Sequence, residues 1–261
     1  AYQSRGLGDV YKRQTWFFCF INILNCKIMN FPILSSLILL PSIGALFLFF
    51  TKSDKKNNFT GKYVALFTSA VNFFLSIYLW ILFDPTTSEF QFVEERIWIK
   101  DLINYKVGVD GISILFILLT TFITPLCIIS VNNSIKERLS EFLIAVLIME
   151  SFMIGVFCSL DLVIFYLFFE AGLIPMFLII GIWGGERRVY SAFKFFLYTL
   201  LGSVLMLVAI ITIYWLNGTT DVVELYNSGI DIKYQNLLWL AFFSSFAVKT
   251  PMWPVHTWLP D

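Results

Sequence analysis

The chain has 261 residues, of which 58% are hydrophobic and 14% are charged, against roughly 45–50% and about 25% in soluble domains. Its 18 basic and 18 acidic residues cancel, so no net field would attract nucleic acid. This composition excludes an ordinary soluble domain and indicates a membrane protein that crosses the bilayer several times.

Residues 1–28 differ from the rest of the chain. They show no periodicity, and the apolar run Trp16–Phe20 is too short to span a bilayer and precedes no small-residue cleavage site. They resemble a translated cloning or sequencing artefact more than a targeting peptide. We therefore predict that the natural chain starts at Met29 and that residues 1–28 are a non-native or upstream segment.

From Met29 onwards the chain is a row of apolar segments, each near the roughly 20 residues that a helix needs to cross a bilayer. This pattern predicts an all-α polytopic fold of about seven transmembrane helices. Residues 29–135 hold helices 1–3, and residues 136–261 hold a helix bundle that ends in a broken seventh helix. The predicted spans are Phe31–Phe50, Tyr63–Phe83, Gly111–Ile135, Phe142–Leu160, Leu162–Gly185, Phe195–Thr220 and Tyr234–Pro260.

Basic residues in the loops predict the orientation, because short cytoplasmic loops collect Lys and Arg. The loops after spans one, three and five hold eight basic residues, and the alternate loops hold four. The mature N-terminus is therefore predicted to face the periplasm or the intermembrane space. The eight are Lys52, Lys55, Lys56, Lys62, Lys136, Arg138, Arg187 and Arg188, and the four are Arg96, Lys100, Lys106 and Lys233.

The long connection, the cysteines and the possible metal ligands say less about function. The long connection Asp84–Asp110 is expected to be a solvated loop, the alternative being an interfacial segment that contacts a partner. The four cysteines show no CxxC spacing, and Cys127 and Cys158 lie in apolar runs that favour buried thiols. No metal-ligand cluster is evident, and since His256 is the single histidine, mechanisms that need two are excluded.

The seventh span carries Lys249 near its middle and then meets Pro251 and Pro254. A proline frees the carbonyl four residues earlier, here those of Ala247 and Thr250. Interrupted backbone is tolerated in a membrane only where protein or a water-filled cavity satisfies it. Because a lysine in the bilayer core costs roughly 2.5–3.5 kcal/mol, this stretch is interpreted as half of an ion-handling site.

Glu170 in span five repeats that pattern. It is the ninth residue after Asp161, which places it roughly 13 Å deep, and Pro175 frees the carbonyl of Ala171 beside it. Burial disfavours the charged forms of Glu170 and Lys249, whereas their attraction favours them, so their protonation is predicted to be coupled. Lysine suits proton release better than arginine. The alternative is a static ion pair that locks two helices.

Further polar residues could contribute to such a site. Ser245 lies on the same helical face as Lys249 and could hold a water molecule. Glu150 is interpreted as a relay or as a residue that merely bonds a neighbouring serine or backbone group. Lys194 is either a relay or a side chain that reaches the headgroups, and His256 either relays protons or caps the helix break.

Four stretches resemble the antiporter-like membrane-arm subunits of proton-pumping NADH:quinone oxidoreductase. The resemblance covers residues 29–261 in order. The stretches are GVDGISILFILLTTF (Gly108–Phe122), FFEAGLIPMFLIIGIWGG (Phe168–Gly185), FKFFLYTLLGSVLML (Phe193–Leu207) and FAVKTPMWPVHTWLPD (Phe246–Asp261).

The resemblance implies a fourteen-helix fold with two inverted helix bundles, each with a half channel and a broken helix. The family's essential glutamate falls on Glu170, and its central lysine falls on Lys249. No cofactor is expected in this chain, since NADH, FMN, iron-sulfur clusters and quinone would be bound by other subunits. Its implied partners are membrane-arm subunits of the chain L and chain N types, the lipid bilayer and protons.

One departure from the family is the length. The sequence stops at Asp261, after the broken helix, so it is expected to hold the intake half only and not to pump alone. Two alternatives stay open. One is the large subunit of a multisubunit cation/proton antiporter or of a membrane-bound hydrogenase arm, and the other is an inert truncated fragment.

Overall fold

The computed structural model describes residues 32–50, 58–99, 103–131, 135 and 137–260. The segment 1–28, interpreted above as non-native or upstream, lies outside the described residues. In chain order the elements are α1 (Ile33–Phe50), α2 (Asn58–Leu82), β1 (Gln91–Ile99), β2 (Ile103–Val109), α3 (Ser113–Ser130), α4 (Leu139–Cys158), α5 (Leu162–Ala171), α6 (Leu173–Trp183), α7 (Arg188–Asn217), α8 (Val222–Ser228) and α9 (Ile232–Lys249).

Within the described ranges, six helical stretches are long and apolar enough to cross a membrane, with α5 and α6 together forming one of them. Helix α9 is not among the six, and its first turns carry Lys233, Gln235 and Asn236. The predicted membrane-spanning helical fold is confirmed, and the chain is a multi-pass membrane protein. The stretches are Ile33–Phe50, Thr60–Leu82, Ser113–Ser130, Leu139–Cys158, Leu162–Trp183 and Arg188–Asn217.

The helices bury small and polar side chains beside part of their apolar ones, and they expose many large apolar side chains. Ser69 and Ser203 are fully buried, whereas Phe67 and Leu201 are more than two-thirds exposed. This polarity suits a bilayer, where small residues let helices approach and lipid tails contact the apolar surface. The prediction that both thiols are buried is wrong for one of them. Cys158 is buried as expected, but Cys127 is exposed on α3. An apolar span has a face towards the lipid as well as a face towards the other helices, so an apolar run alone does not bury every residue in it.

The connection Asp84–Asp110 is a β-hairpin over most of its length, so the prediction of a solvated loop is wrong. Strands β1 and β2 pair antiparallel, with Arg96 opposite Tyr105. Their sequences, QFVEERIWI and INYKVGV, are rich in the β-branched and aromatic residues that favour strands. Val107 and Val109 are fully buried, which docks the hairpin onto the helices.

Strand β1 also holds the start of α1. The Glu94 carboxylate accepts hydrogen bonds from the backbone N–H groups of Leu34, at 2.8 Å, and of Ser35, at 3.1 Å. It also accepts from the Ser35 hydroxyl. First-turn N–H groups have no partner within their own helix, and a negative charge is favourable at that end. Glu94 therefore caps α1 from about 60 residues away in the chain.

Three connections meet on the hairpin side of the helices. Lys106 forms an ion pair with Asp221, which also caps α8. The N–H of Leu160 donates to the Lys106 carbonyl at 3.0 Å, and that of Leu162 donates to the Thr220 carbonyl at 2.9 Å. The hairpin, the connection before α5 and the connection before α8 are every second connection between spans along the chain. Since these three meet on one side of the helices, successive spans run in opposite directions, as predicted. The side of the membrane that they face stays a prediction.

Lys106 makes a pH-dependent contribution to stability through its ion pair with Asp221. Partial burial alone would lower the pKa of Lys106, but the hydrogen bond and charge of Asp221 outweigh it and raise that pKa. The contribution that comes from the raised pKa of Lys106 is therefore fully present at the ordinary lysine pKa and is lost as the pH rises through the raised value.

We predict that Glu94→Ala loosens the hairpin, because it removes the cap of α1. Loss of a cap costs on the order of 1 kcal/mol. That energy corresponds to a factor of about five in an opening equilibrium. Tryptic cleavage after Arg96 in the detergent-solubilised full-length subunit should accelerate by about that factor. The control is Glu95→Ala, which removes the exposed neighbouring carboxylate. Equal acceleration in both variants would contradict the capping role.

Candidate functional site

The end of α5 on the hairpin side is fixed by Asp161. Its carboxylate caps the helix by accepting from the N–H groups of Val163, at 2.8 Å, and Ile164, at 3.2 Å. The hydroxyl of Thr220 donates to its other oxygen at 2.5 Å. The depth at which α5 places Glu170 is therefore set by a buried cap.

The regular helix ends directly after Glu170. Helix α5 stops at Ala171 and α6 begins at Leu173, because Pro175 has no N–H to offer the Ala171 carbonyl. The N–H of Gly172 turns back to the Phe168 carbonyl at 3.2 Å. The predicted break beside Glu170 is confirmed.

Helix α9 ends at Lys249, and turns follow it. The Ala247 carbonyl, predicted to be freed, accepts instead from the N–H of Met252 at 2.8 Å. The Val248 carbonyl accepts from the indole N–H of Trp258 at 3.0 Å. Protein groups thus satisfy these carbonyls, as an interrupted helix in a membrane requires.

Glu170 and Lys249 are neighbours without a direct ion pair. The Lys249 ammonium lies 4.4 Å from the centre of the Phe169 ring, a cation–π contact, and Phe169 packs against Met206 and Ile210 of α7. Since Glu170 directly follows Phe169 in the chain, the two ionisable residues are neighbours in the fold. The coupling predicted from sequence is therefore geometrically available, with an aromatic ring beside the two groups.

Two buried polar atoms at this site have no hydrogen-bond partner in the described part of the chain. They are Glu170 Oε1 and the hydroxyl of Ser245, and the hydroxyl of Ser203 lies beside Glu170. Buried polar groups normally bind either protein or ordered water. The arrangement thus suits a water molecule between α5, α7 and α9, and the role of Ser245 in holding it stays a prediction.

Close packing of α7 against α9 depends on Gly202. A methyl group built there would lie 3.1 Å from the Val248 side chain and 3.4 Å from the Ser245 Cα. The absence of a side chain at this position therefore sets how near Ser245 and Lys249 approach α7.

Glu150 lies apart from this site, on α4. It is almost fully buried, and its Oε1 accepts from the Asn72 amide at 2.8 Å. Sequence analysis missed Asn72, although it shares one face of α2 with Ser69 and Ser76. Those spacings of three and four residues in an apolar span were the available signal.

Lys194 and His256 are not brought into contact with Glu170 in the described residues. The Lys194 ammonium lies 5.8 Å from the Tyr190 ring centre, on the second turn of α7. His256 follows the end of α9, so a continuous helical face shared with Lys249 is not formed. Its Nδ1 is buried and has no partner in the described residues, and Trp258, not His256, caps the Val248 carbonyl. The described residues contain no group of three potential metal ligands.

The chain matches several characterised proteins. A family model described as NADH:quinone oxidoreductase/Mrp antiporter, TM, matches residues 159–261. The NADH-quinone oxidoreductase subunit M of Rhodobacter capsulatus is 58% identical over 213 residues, which are 77% of this chain and 41% of that protein. The NADH-ubiquinone oxidoreductase chain 4 of Marchantia polymorpha is 49% identical over 230 residues, 87% of this chain and 46% of that protein.

Solved structures show the same fold. A chain of respiratory complex I from Thermus thermophilus with bound NADH matches with a TM-score of 0.75 and 28% identity, over 87% of this chain and 46% of that one. A chain of an archaeal membrane-bound sulfane sulfur reductase matches with a TM-score of 0.68 at 22% identity, over 88% of this chain and 36% of that one.

These matches, together with the helix break after Glu170 and the helix end at Lys249, place the chain in the family of antiporter-like membrane subunits. Within that family it is of the subunit M or chain 4 type. The chain spans less than half the length of these curated relatives.

We predict that Gly202→Leu destabilises the packing of α7 against α9. Overfilling a tight contact typically costs about 1–3 kcal/mol, so the purified full-length subunit should denature at a lower temperature. Gly181→Ala on α6 is the control, because a methyl group there meets Ala192 at an ordinary 3.6 Å. An unchanged melting temperature in Gly202→Leu would contradict the close approach.

Proposed function

We propose that the chain acts in the proton-translocating membrane-arm subunit of NADH:quinone oxidoreductase and couples quinone reduction to proton transfer. The observation that carries the proposal is the placement of Glu170 at a helix break and of Lys249 at a helix end, both next to Phe169 and without an ion pair between them. Ionisable groups inside membrane spans are costly and usually functional. The names of the relatives supply the enzyme class.

In the proposed mechanism Glu170 and Lys249 exchange a proton through water. Attraction between them favours the charged forms, and burial opposes it. A shift of α9 relative to α5 changes their separation and so changes which group holds the proton. The unpartnered Glu170 Oε1 and Ser245 hydroxyl support a water position on this path.

Three further side chains are proposed as accessory relay groups. His256 offers a buried Nδ1 without a partner in the described residues, and Glu150 is buried deep within α4. Lys194 lies near the other end of α7 from the hairpin side, where a long side chain can also simply reach the headgroups. None of them contacts Glu170, so each would act through water.

The setting is proposed from the family. The subunit would lie in the bacterial or mitochondrial inner membrane, with its mature N-terminus on the periplasmic or intermembrane side, beside chain L and chain N types. The excess of basic residues in alternate loops supports that orientation. NADH, FMN, iron-sulfur clusters and quinone would be held by other subunits.

A second candidate is a subunit of a cation/proton antiporter, because the description of the matched family model names the Mrp antiporter as well. The chemistry at Glu170 and Lys249 would be similar, but a cation gradient would replace quinone reduction as the driving force. Inverted membrane vesicles distinguish the two candidate functions. In an antiporter, proton movement would follow the addition of sodium, whereas in the oxidoreductase it would follow the addition of NADH.

We predict that Glu170→Gln abolishes coupling, because the amide keeps the shape of the side chain and removes its titratable proton. In the assembled complex with the full-length subunit, NADH-driven quinone reduction and proton uptake in inverted vesicles should fall by on the order of 10². Glu186→Gln, at an exposed loop position, should leave both unchanged. Full activity of Glu170→Gln at normal assembly would favour an inert or purely structural role.

Lys249→Arg tests whether Lys249 acts through its positive charge alone or through release of its proton. Arginine keeps the positive charge but hardly loses its proton. We predict normal assembly with coupled proton uptake reduced by at least about tenfold, towards the 10² attributed to acid–base catalysis. If the arginine variant pumped normally, a fixed positive charge at this position would explain Lys249 better than proton exchange.

A further inference from the structure

A second buried polar pair lies between α2 and α4. One face of α2 presents Ser69, Asn72 and Ser76, all fully buried. The amide of Asn72 donates to Glu150 Oε1 at 2.8 Å, and Glu150 is only 2% exposed. A carboxyl group is therefore enclosed in the bundle, and within the described residues it forms no ion pair.

The hydrogen bonding of this pair is incomplete in one specific way. Glu150 Oε2 and Asn72 Oδ1 are both buried acceptors with no partner in the described residues. The surrounding hydroxyls are satisfied, since Ser76 bonds Thr121 at 2.7 Å and Ser69 donates to the Leu66 carbonyl at 3.1 Å. The deficit therefore belongs to the pair alone, and it is a deficit of donors.

The charge balance points the same way. Among the described residues, Asn72 hydrogen-bonds the Glu150 carboxyl, and that carboxyl forms no ion pair. An ionised carboxylate buried without a counter-charge is strongly unfavourable. One proton on Oε2 removes the charge and supplies the missing donor at once.

We propose that Asn72 and Glu150 form a buried proton-binding site distinct from the one at Glu170. Glu150 Oε2 carries the proton and donates it, directly or through one water molecule, towards Asn72 Oδ1. In return the Asn72 amide donates to Oε1, so the acid and the amide satisfy each other.

The site is separate from Glu170 although it lies at a similar depth. Glu150 is eight residues before the end of α4 at Cys158, and Glu170 is eight residues after the start of α5 at Leu162. Both are therefore about 12 Å from the hairpin side. The Phe168 ring packs directly against Gly155 between the two helices, and Glu150 faces α2 whereas Glu170 faces α7 and α9.

Infrared spectroscopy of the assembled complex containing the full-length subunit tests the protonation state. The spectrum of Glu150→Gln subtracted from that of the unmodified complex should show one buried carboxylic acid C=O band, and Asn72→Leu should shift that band. The control is Glu141→Gln, an exposed carboxyl on the same helix, which should lose only a carboxylate band. Loss of a carboxylate band in Glu150→Gln would overturn the proposal.

Stability measurements test the pairing independently. Asn72→Leu should lower the melting temperature of the complex, because it leaves Glu150 Oε1 without its donor, and adding Glu150→Met should restore much of the loss. Simple addition of the two losses would overturn the pairing. The band should also persist in Glu170→Gln, so the failure of one site can be told from the failure of the other.

Discussion

The bilayer supplies no hydrogen bonds, so every polar group within the helices must find its partner in protein or in enclosed water. The serines and threonines meet this demand locally, for example Thr199, which donates to the Phe195 carbonyl at 2.7 Å. The helix ends meet it through distant groups such as Glu94 and Trp258. In the described helices, the buried side-chain atoms that the protein leaves without a partner belong to Glu170, Ser245, Asn72 and Glu150, and His256 has one just beyond α9. These positions are therefore the informative ones.

The hairpin and its neighbouring connections give these positions a fixed frame. Asp161 caps α5 and Asp221 caps α8, and Thr220 and Lys106 bind the two aspartates. The start of α5 is thereby tied to the loop that leads from α7 towards α9. A displacement of α9 near Lys249 can then change its distance from Glu170 while the hairpin side stays in place.

The sequence predicted the features that depend on local pattern. Apolar length located the spans, and proline located the breaks beside Glu170 and Lys249. It did not predict the hairpin, because charges and an irregular register mask the alternation of β1. It also passed over Asn72, because the spacing that Asn72 shares with Ser69 and Ser76 indicates a polar helix face but not that this face meets Glu150.

The sequence predicted that Glu170 and Lys249 are coupled, but it did not predict that they form no direct ion pair. That geometry depends on where a third side chain, Phe169, packs. Phe169 is held by α7 and offers its ring to the ammonium, which stabilises the charge without a carboxylate in contact. A direct buried ion pair would be costly to break. With the ring as an alternative partner, Lys249 can leave or approach Glu170 at a smaller cost, and that freedom is what a proton-exchanging pair requires.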